Sequence, residues 1–299
     1  MIGLGRMGAN MIERLTKAGH RVAVYDRDTA AVRRCSTAAD SRVVAASSLS
    51  ELVEKLTPER SIWVMIPAAA VDETIAALTG LLKAGDTIID GGNSNYKESI
   101  RRGQALAARS IHFIDVGTSG GIWGLKEGYC LMIGGDKAAV DRLAPIFESL
   151  APAGDRGWAR VGPSGAGHFV KMVHNGIEYG MMQAYAEGFA LLHKKSELQL
   201  DLAQVSELWR HGSVVRSWLL DLTAQALSEN RDLRGIAPEV GDSGEGRWMV
   251  GEAIDMNVAI PVITTSLLQR IQSRDHEGFA NKVLAVMRNK FGGHELKTE

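Results

Sequence analysis

Gly3-Leu4-Gly5-Arg6-Met7-Gly8 stands almost at the start of the 299-residue chain and runs into a helical pattern from about Ala9. G-x-G-x-x-G between a strand and a helix permits a tight turn and close backbone approach. A pyrophosphate can then sit on the helix N-terminus. The next β-branched run, Val22-Ala23-Val24-Tyr25, ends at Asp26, about 20 residues on, where a carboxylate binds the adenine ribose hydroxyls. The pattern predicts a dinucleotide site formed by Gly3, Gly5, Arg6, Met7, Gly8 and Asp26. Asp26 argues for NAD, because it repels a 2′-phosphate. Arg27 beside it argues for NADP, because a guanidinium accepts that phosphate or stacks on adenine. The balance favours NAD with NADP use open.

Outward from this turn, short apolar runs alternate with helical patterns, the mark of βαβ units and a parallel sheet. Further strands are read at 62–66, 87–90, 112–115, 130–133 and 158–161, with helices at 10–18, 71–82 and 99–108. Only Met1 and Ile2 precede Gly3, too few for the strand that should feed the turn. The expectation is a start site placed a few codons late, with a genuinely stunted first strand as the alternative. A polar, turn-forming linker at 151–155 and one more strand lead to Gly162-Pro163-Ser164-Gly165, after which the pattern is helical nearly to the end. The expected architecture is an α/β Rossmann-type N-terminal domain over 1–163 and an all-α C-terminal domain over 164–299.

Composition narrows the classes. Lys+Arg 34 against Asp+Glu 35 leaves a net charge of −1, so no bulk field points to nucleic acid or an anionic membrane. No apolar run approaches the 18 or so residues of a membrane span, and no secretory signal pattern is present. The two cysteines, Cys35 and Cys130, lie far apart and in no metal-ligand spacing, which fits a reducing, cytoplasmic setting without a structural metal.

The most informative stretch follows Gly165. Lys171, His174, Asn175 and Glu178 fall at i, i+3, i+4 and i+7, so a helix puts all four on one face of an otherwise apolar surface. Such a stripe costs desolvation unless its groups pair or line a cavity. One reading is a Lys171–Glu178 ion pair. The other is chemistry: a lysine in a dry pocket acting as general base, and a glutamate kept protonated by burial acting as acid.

The helix motif, together with Asp90-Gly91-Gly92-Asn93-Ser94 and Ser119-Gly120-Gly121, resembles the 6-phosphogluconate dehydrogenases (decarboxylating), within the wider β-hydroxyacid dehydrogenases. The resemblance extends over essentially the whole chain. It implies oxidation of 6-phospho-D-gluconate to D-ribulose 5-phosphate and CO₂ with reduction of NAD or NADP, and without a metal. Lys171 would take the C3 hydroxyl proton and Glu178 would protonate C1. It also implies that Asn93, Ser119, Gly120, Gly121, His174 and Asn175 contact the sugar acid and Tyr179 its phosphate, Asn93 also lying at the cofactor. Arg288-Asn289-Lys290-Phe291-Gly292-Gly293-His294 resembles the family's closing segment, whose Arg and His reach a neighbouring subunit's site, and Arg270 sits at another phosphate-binding position. A homodimer or homotetramer is therefore expected, with a phosphorylated sugar acid as the small-molecule partner.

Two departures stand out. Ser243, in Asp242-Ser243-Gly244-Glu245-Gly246-Arg247-Trp248, takes the place of a phosphate-binding lysine of long-chain members, and the helical region is of the short, bacterial type. A dehydrogenase for a small non-phosphorylated hydroxy acid is the competing enzyme reading. A dinucleotide-binding sensor without turnover is the competing reading outside enzymes. His168 has two readings as well, lining the site or solvated at the helix start.

Overall fold

The computed structural model describes residues 1–38, 41–152 and 156–298, and the chain divides into two compact units, Met1–His174 and Asn175–Glu299. The first unit holds strands β1 (Val22–Val24), β2 (Val43–Ala45), β3 (Ser61–Val64), β4 (Thr87–Asp90), β5 (His112–Ser119), β6 (Cys130–Gly135) and β7 (Trp158–Gly162). Its helices are α1 (Arg6–Lys17), α2 (Thr29–Ala38), α3 (Leu49–Glu54), α4 (Val71–Thr79), α5 (Tyr96–Ala107), α6 (Gly124–Glu127), α7 (Lys137–Arg142) and α8 (Ala144–Leu150). Part of the linker expected at 151–155 lies outside the described residues.

β1 and β2 pair in parallel, and a second sheet runs β3-β4-β5-β6-β7. Ile2 joins the two. It forms parallel bridges to Tyr25 and Val64, donating its N–H to Trp63 O (2.8 Å) and accepting from Met65 N–H (2.7 Å). The strand expected ahead of the glycine turn is thus a one-residue bridge that occupies the middle of the sheet. β3, β4 and β5 are parallel, while β6 runs antiparallel to β5. The reason is length. The β5–β6 link, 120–129, is shorter than the dozen or so residues a parallel crossover needs. Strand β2 and helix α3 were not legible, because three residues of strand and a six-residue helix carry almost no periodic signal.

Both faces of the sheet are covered. Met11, Ile12 and Leu15 of α1 pack with Ile89, Ile114, Ile133 and Phe147 on one side; Ile62, Ile88, Leu78 and Leu106 pack on the other. Each such fully buried side chain contributes roughly 1.5–3 kcal/mol of transfer free energy. Local chemistry sets the helix starts: Ser48 caps α3, Asn95 caps α5 and Asp136 caps α7, each accepting from a first-turn N–H.

Helix α9 runs unbroken over Ala166–Lys194, so the unit division falls inside it, whereas the expected boundary at 163 lies just before its start. The second unit continues with α10 (Leu202–Trp209), α11 (Trp218–Glu229), α12 (Glu245–Asp255), α13 (Pro261–Gln272) and α14 (Phe279–Gly292). α10 packs on α11 and α12 on α13. α14 buries none of its residues.

Candidate active site

The glycines of the first turn have separate physical reasons. Gly3 is left-handed (φ +90°), and a β-carbon on it would stand 2.2 Å from Met65 O. One on Gly8 would stand 2.1 Å from Gly3 O, so this glycine lets α1 lie close on the turn. Gly5 meets nothing within 4 Å. No contact inside the protein requires a glycine there, and the open space beside it leaves room for a ligand to approach the backbone. Gly5 is also the N-cap of α1, and it offers no capping side chain to the first-turn N–H groups, among which are those of Arg6, Met7 and Gly8. Those amides and the helix dipole suit a pyrophosphate. Asp26 Oδ2 accepts from Leu4 N–H (2.7 Å) and its Oδ1 from Asp28 N–H (2.8 Å). These residues fit a dinucleotide.

At the end of β4, Asp90 is fully buried and accepts from Gly92 N–H (3.2 Å), Ser94 Oγ (2.8 Å) and Arg102 Nη1 (3.3 Å). Arg102 is buried too, and its Nε reaches Asp72 at 2.7 Å. Gly91 lies against the Trp63 indole, where a β-carbon would come 2.1 Å from Nε1. The loop is thereby held with Ser94 buried and Asn93 exposed at its tip.

Asp115 on β5 starts the helix that bears the chemical residues. Fully buried, it accepts from Gly165 N–H through Oδ1 (2.6 Å) and from His168 N–H through Oδ2 (2.8 Å). A carboxylate from a neighbouring strand so satisfies the amides that a helix N-terminus leaves open. Gly167 presses on β5 and β6, its would-be β-carbon 2.5 Å from both Asp115 O and Met132 O. Lys171 is buried one turn on, against Gly117. His174 Nε2 and Ser119 Oγ lie 3.3 Å apart. Gly120 (φ +133°) and Gly121 (φ +50°) supply the turn after Ser119. His168 is buried with Nδ1 2.7 Å from Ser99 Oγ, not solvated at the helix start.

In the second unit, Asn175 is buried and donates Nδ2 to Glu245, itself buried in the first turn of α12. Tyr179 accepts at its hydroxyl from Ser243 N–H (3.1 Å) and lies 3.3 Å from Ser243 Oγ. The Arg270 guanidinium stacks 3.6 Å from the Tyr179 ring centroid and donates Nη1 to Gly241 O (2.8 Å). Asp242 braces the turn with Arg247 (3.1 Å) and Arg274 (2.7 Å). The Arg247 hydrogen bond, then those of Arg274 and the Gly244 amide, hold its carboxyl down to about 2. Arg288 and His294 stand exposed on α14 and the segment after it, with Asn289 Nδ2 donating to His294 O (2.8 Å). Among the described residues, neither side chain makes a hydrogen bond or ion pair with the Tyr179 cluster.

Lys171, His174, Asn175 and Glu178 all lie on α9, at the spacing read from the sequence. What the sequence did not reveal is the supporting contacts: Asp115 and Ser99 at the start of α9, Arg102 on Asp90, and above all Glu245 on Asn175. The one available signal was an acidic residue inside Gly244-Glu245-Gly246, beside the missing lysine position. Among the described residues no group of three or more His, Cys, Asp or Glu could hold a metal ion, and no helix is long and apolar enough to cross a membrane.

The glycine turn on a helix N-terminus, Asp26 at the following strand end, and a lysine-bearing helix leading into an all-helical unit define a Rossmann-type dinucleotide-dependent dehydrogenase. A solved Mycobacterium tuberculosis 3-hydroxyisobutyrate dehydrogenase shares the fold, with a TM-score of 0.73 and 20% identity over 92% of this chain and 93% of that one. Residues 1–160 match the family model for the NAD binding domain of 6-phosphogluconate dehydrogenase, and residues 167–296 match that for the C-terminal domain of 6-phosphogluconate dehydrogenase. The chain belongs to the 6-phosphogluconate dehydrogenase family. It is 42% identical to Bacillus subtilis YqeC, over 98% of this chain and 97% of that one. It is also 42% identical to the NAD(+)-dependent, decarboxylating 6-phosphogluconate dehydrogenase of Haloferax volcanii, over 99% and 97%. The solved Plasmodium falciparum 6-phosphogluconate dehydrogenase superposes with a TM-score of 0.84 at 29% identity; this chain, covered in full, spans 65% of that longer one.

Proposed function

We propose that the chain converts 6-phospho-D-gluconate to D-ribulose 5-phosphate and CO₂ while reducing NAD(P). Family membership supports the activity. The observation that carries the residue roles is Lys171, buried against Gly117 on the helix face it shares with Glu178. The turn at Gly3, Gly5, Arg6, Met7 and Gly8, with Asp26 and Arg27, holds the dinucleotide. When bound, its nicotinamide supplies the hydride acceptor.

Lys171 Nζ takes the proton of the C3 hydroxyl as the C3 hydride departs, leaving a 3-keto acid. Now an ammonium, Lys171 hydrogen-bonds the ketone oxygen, so the C1–C2 bond breaks with its electron pair drawn toward that oxygen and CO₂ leaves. Glu178 then delivers a proton to the carbon that lost CO₂, which becomes C1 of the product, and the enediol collapses to the ketone. Asn93, Ser119, Gly120, Gly121, His174 and Asn175 orient the sugar acid. Tyr179, Ser243 and Arg270 take its phosphate, Arg270 and Tyr179 standing in for the lysine replaced by Ser243.

The working unit is a homodimer or homotetramer in the cytoplasm, with Arg288 and His294 completing a neighbour's site. Two features support association between copies: α14 leaves Phe279, Leu284, Met287 and Phe291 64%, 57%, 58% and 98% exposed, and Met181, Tyr185, Phe189, Trp209 and Val215 line an open apolar groove of about 380 Å³.

Purified protein is assayed with 6-phosphogluconate and NAD or NADP, following nicotinamide absorbance and CO₂. Reduction with stoichiometric CO₂ is expected. No reduction with either cofactor refutes the reading; reduction without CO₂ points to a simple hydroxy acid dehydrogenase.

A further inference from the structure

The adenosine end of the cofactor site carries charges that the reaction chemistry does not use. Asp26 has both carboxylate oxygens anchored by backbone amides, Leu4 N–H and Asp28 N–H, and its remaining lone pairs can still accept from ribose hydroxyls. Arg27 follows directly, and its Nη2 lies 3.0 Å from Glu73 Oε2 in the first turn of α4. Farther along the same segment, Arg34 Nη2 stands 3.5 Å from Asp28 Oδ2. The Ala30 amide, donating to Asp28, holds that carboxyl below its usual range. Both guanidiniums are therefore already matched to carboxylates. The two ion pairs, Arg27 with Glu73 and Arg34 with Asp28, stand beside Asp26.

A ribose hydroxyl enters this setting without difficulty. A 2′-phosphate brings about −1.5 to −2 charge. It meets Asp26, and Arg27 can serve it only by leaving Glu73 or by keeping that like charge beside the phosphate.

We propose that Glu73 is a specificity-determining residue for the dinucleotide: by holding Arg27 it withholds the guanidinium from a 2′-phosphate and biases the chain to NAD. The proposal rests on the reading that the Gly3–Gly8 turn binds NAD(P). Arg27 and Glu73 are 72% and 74% exposed, so the pair is screened and its effect is modest.

The test compares kcat/KM for NADP and for NAD in the wild type, Glu73→Gln, Arg27→Ala and the double variant, at low and high salt. Glu73→Gln raises the NADP-to-NAD ratio roughly two- to fivefold, the range of one surface charge pair. The rise shrinks at high salt and vanishes in the double variant, because it acts through Arg27. An unchanged ratio in Glu73→Gln overturns the proposal, and so does a rise that survives loss of Arg27. Dissociation constants of NADH and NADPH, read from nicotinamide fluorescence, give the same ratio without turnover. Binding without turnover counts against the proposed reaction and leaves this ratio to decide the role of Glu73. Failure to bind either dinucleotide removes both.

Discussion

Gly117 and Lys171 touch so closely that a β-carbon on Gly117 would stand 2.4 Å from Lys171 Cβ and 3.2 Å from Cγ. The strand backbone is the floor on which the lysine stem rests. Gly117→Ala must therefore displace the lysine or α9, and a misplacement of about 1 Å costs on the order of 100-fold in rate. Steady-state kinetics should show kcat falling by about that factor while NADH binding stays near normal. Lys171→Met should abolish hydride transfer; appreciable turnover in that variant would falsify its assignment as base.

Glu245 offers a second check, independent of the lysine. Its buried carboxylate accepts from Asn175 Nδ2 and so orients the amide. Glu245→Gln keeps an acceptor and should retain most activity. Glu245→Ala removes it, and a buried hydrogen bond lost in this way costs about 1–3 kcal/mol, or roughly 5- to 150-fold. The loss should appear in kcat/KM for the sugar acid with little change in cofactor KM. Equal damage from both variants would mean that the negative charge, not the hydrogen bond, matters.

Acid stability should depend on Asp242. Its folded carboxyl is held at about 2, below the ordinary 3.8, chiefly by Arg247. A depressed pKa means stability that is present above about 4 and lost as pH falls toward 2. Both arginines are partly exposed, which limits the contribution to about 1 kcal/mol. Urea midpoints of wild type and Asp242→Asn should thus differ at pH 6 and converge as pH drops from about 4 toward 2. A gap that widens on acidification would contradict the assignment.

The tail can be tested by hybrid formation. Neither Lys171→Met nor Arg288→Ala alone should turn over efficiently. Co-expressed, half of a random dimer mixture is hybrid, and each hybrid has one site with both an intact lysine and an intact neighbouring tail, so roughly a quarter of wild-type activity returns. No recovery would show that each tail serves its own chain.

Local spacing explains what was legible beforehand. Gly3, Gly5 and Gly8 lie in one turn and the 171/174/175/178 stripe on one helix, where period and stereochemistry act directly, and Asp26 follows the next short strand. The helical pattern after Gly165 was readable for the same reason, and α9 spans Ala166–Lys194. Resemblance added Asn93, Ser119 and Tyr179 because their neighbours form short, specific strings.

The supporting contacts had no such signature. Asp115 meets Gly165 across 50 residues, Arg27 meets Glu73 across 46, and Asn175 meets Glu245 across 70. No periodicity links residues at those separations, and an aspartate in a strand looks the same in sequence whether it caps a helix or faces water. Ile2 is the sharpest case: two residues are too few to read as a strand, yet Ile2 bonds Trp63 and Met65 on one side while its neighbours Met1 and Gly3 bond Tyr25 on the other, and the sheet closes. The sequence by itself determined which groups could do chemistry, because their types and helical spacing are local. Only the tertiary structure decided how Lys171, Asn175 and Arg27 are held, because burial, capping and charge pairing arise where distant segments meet.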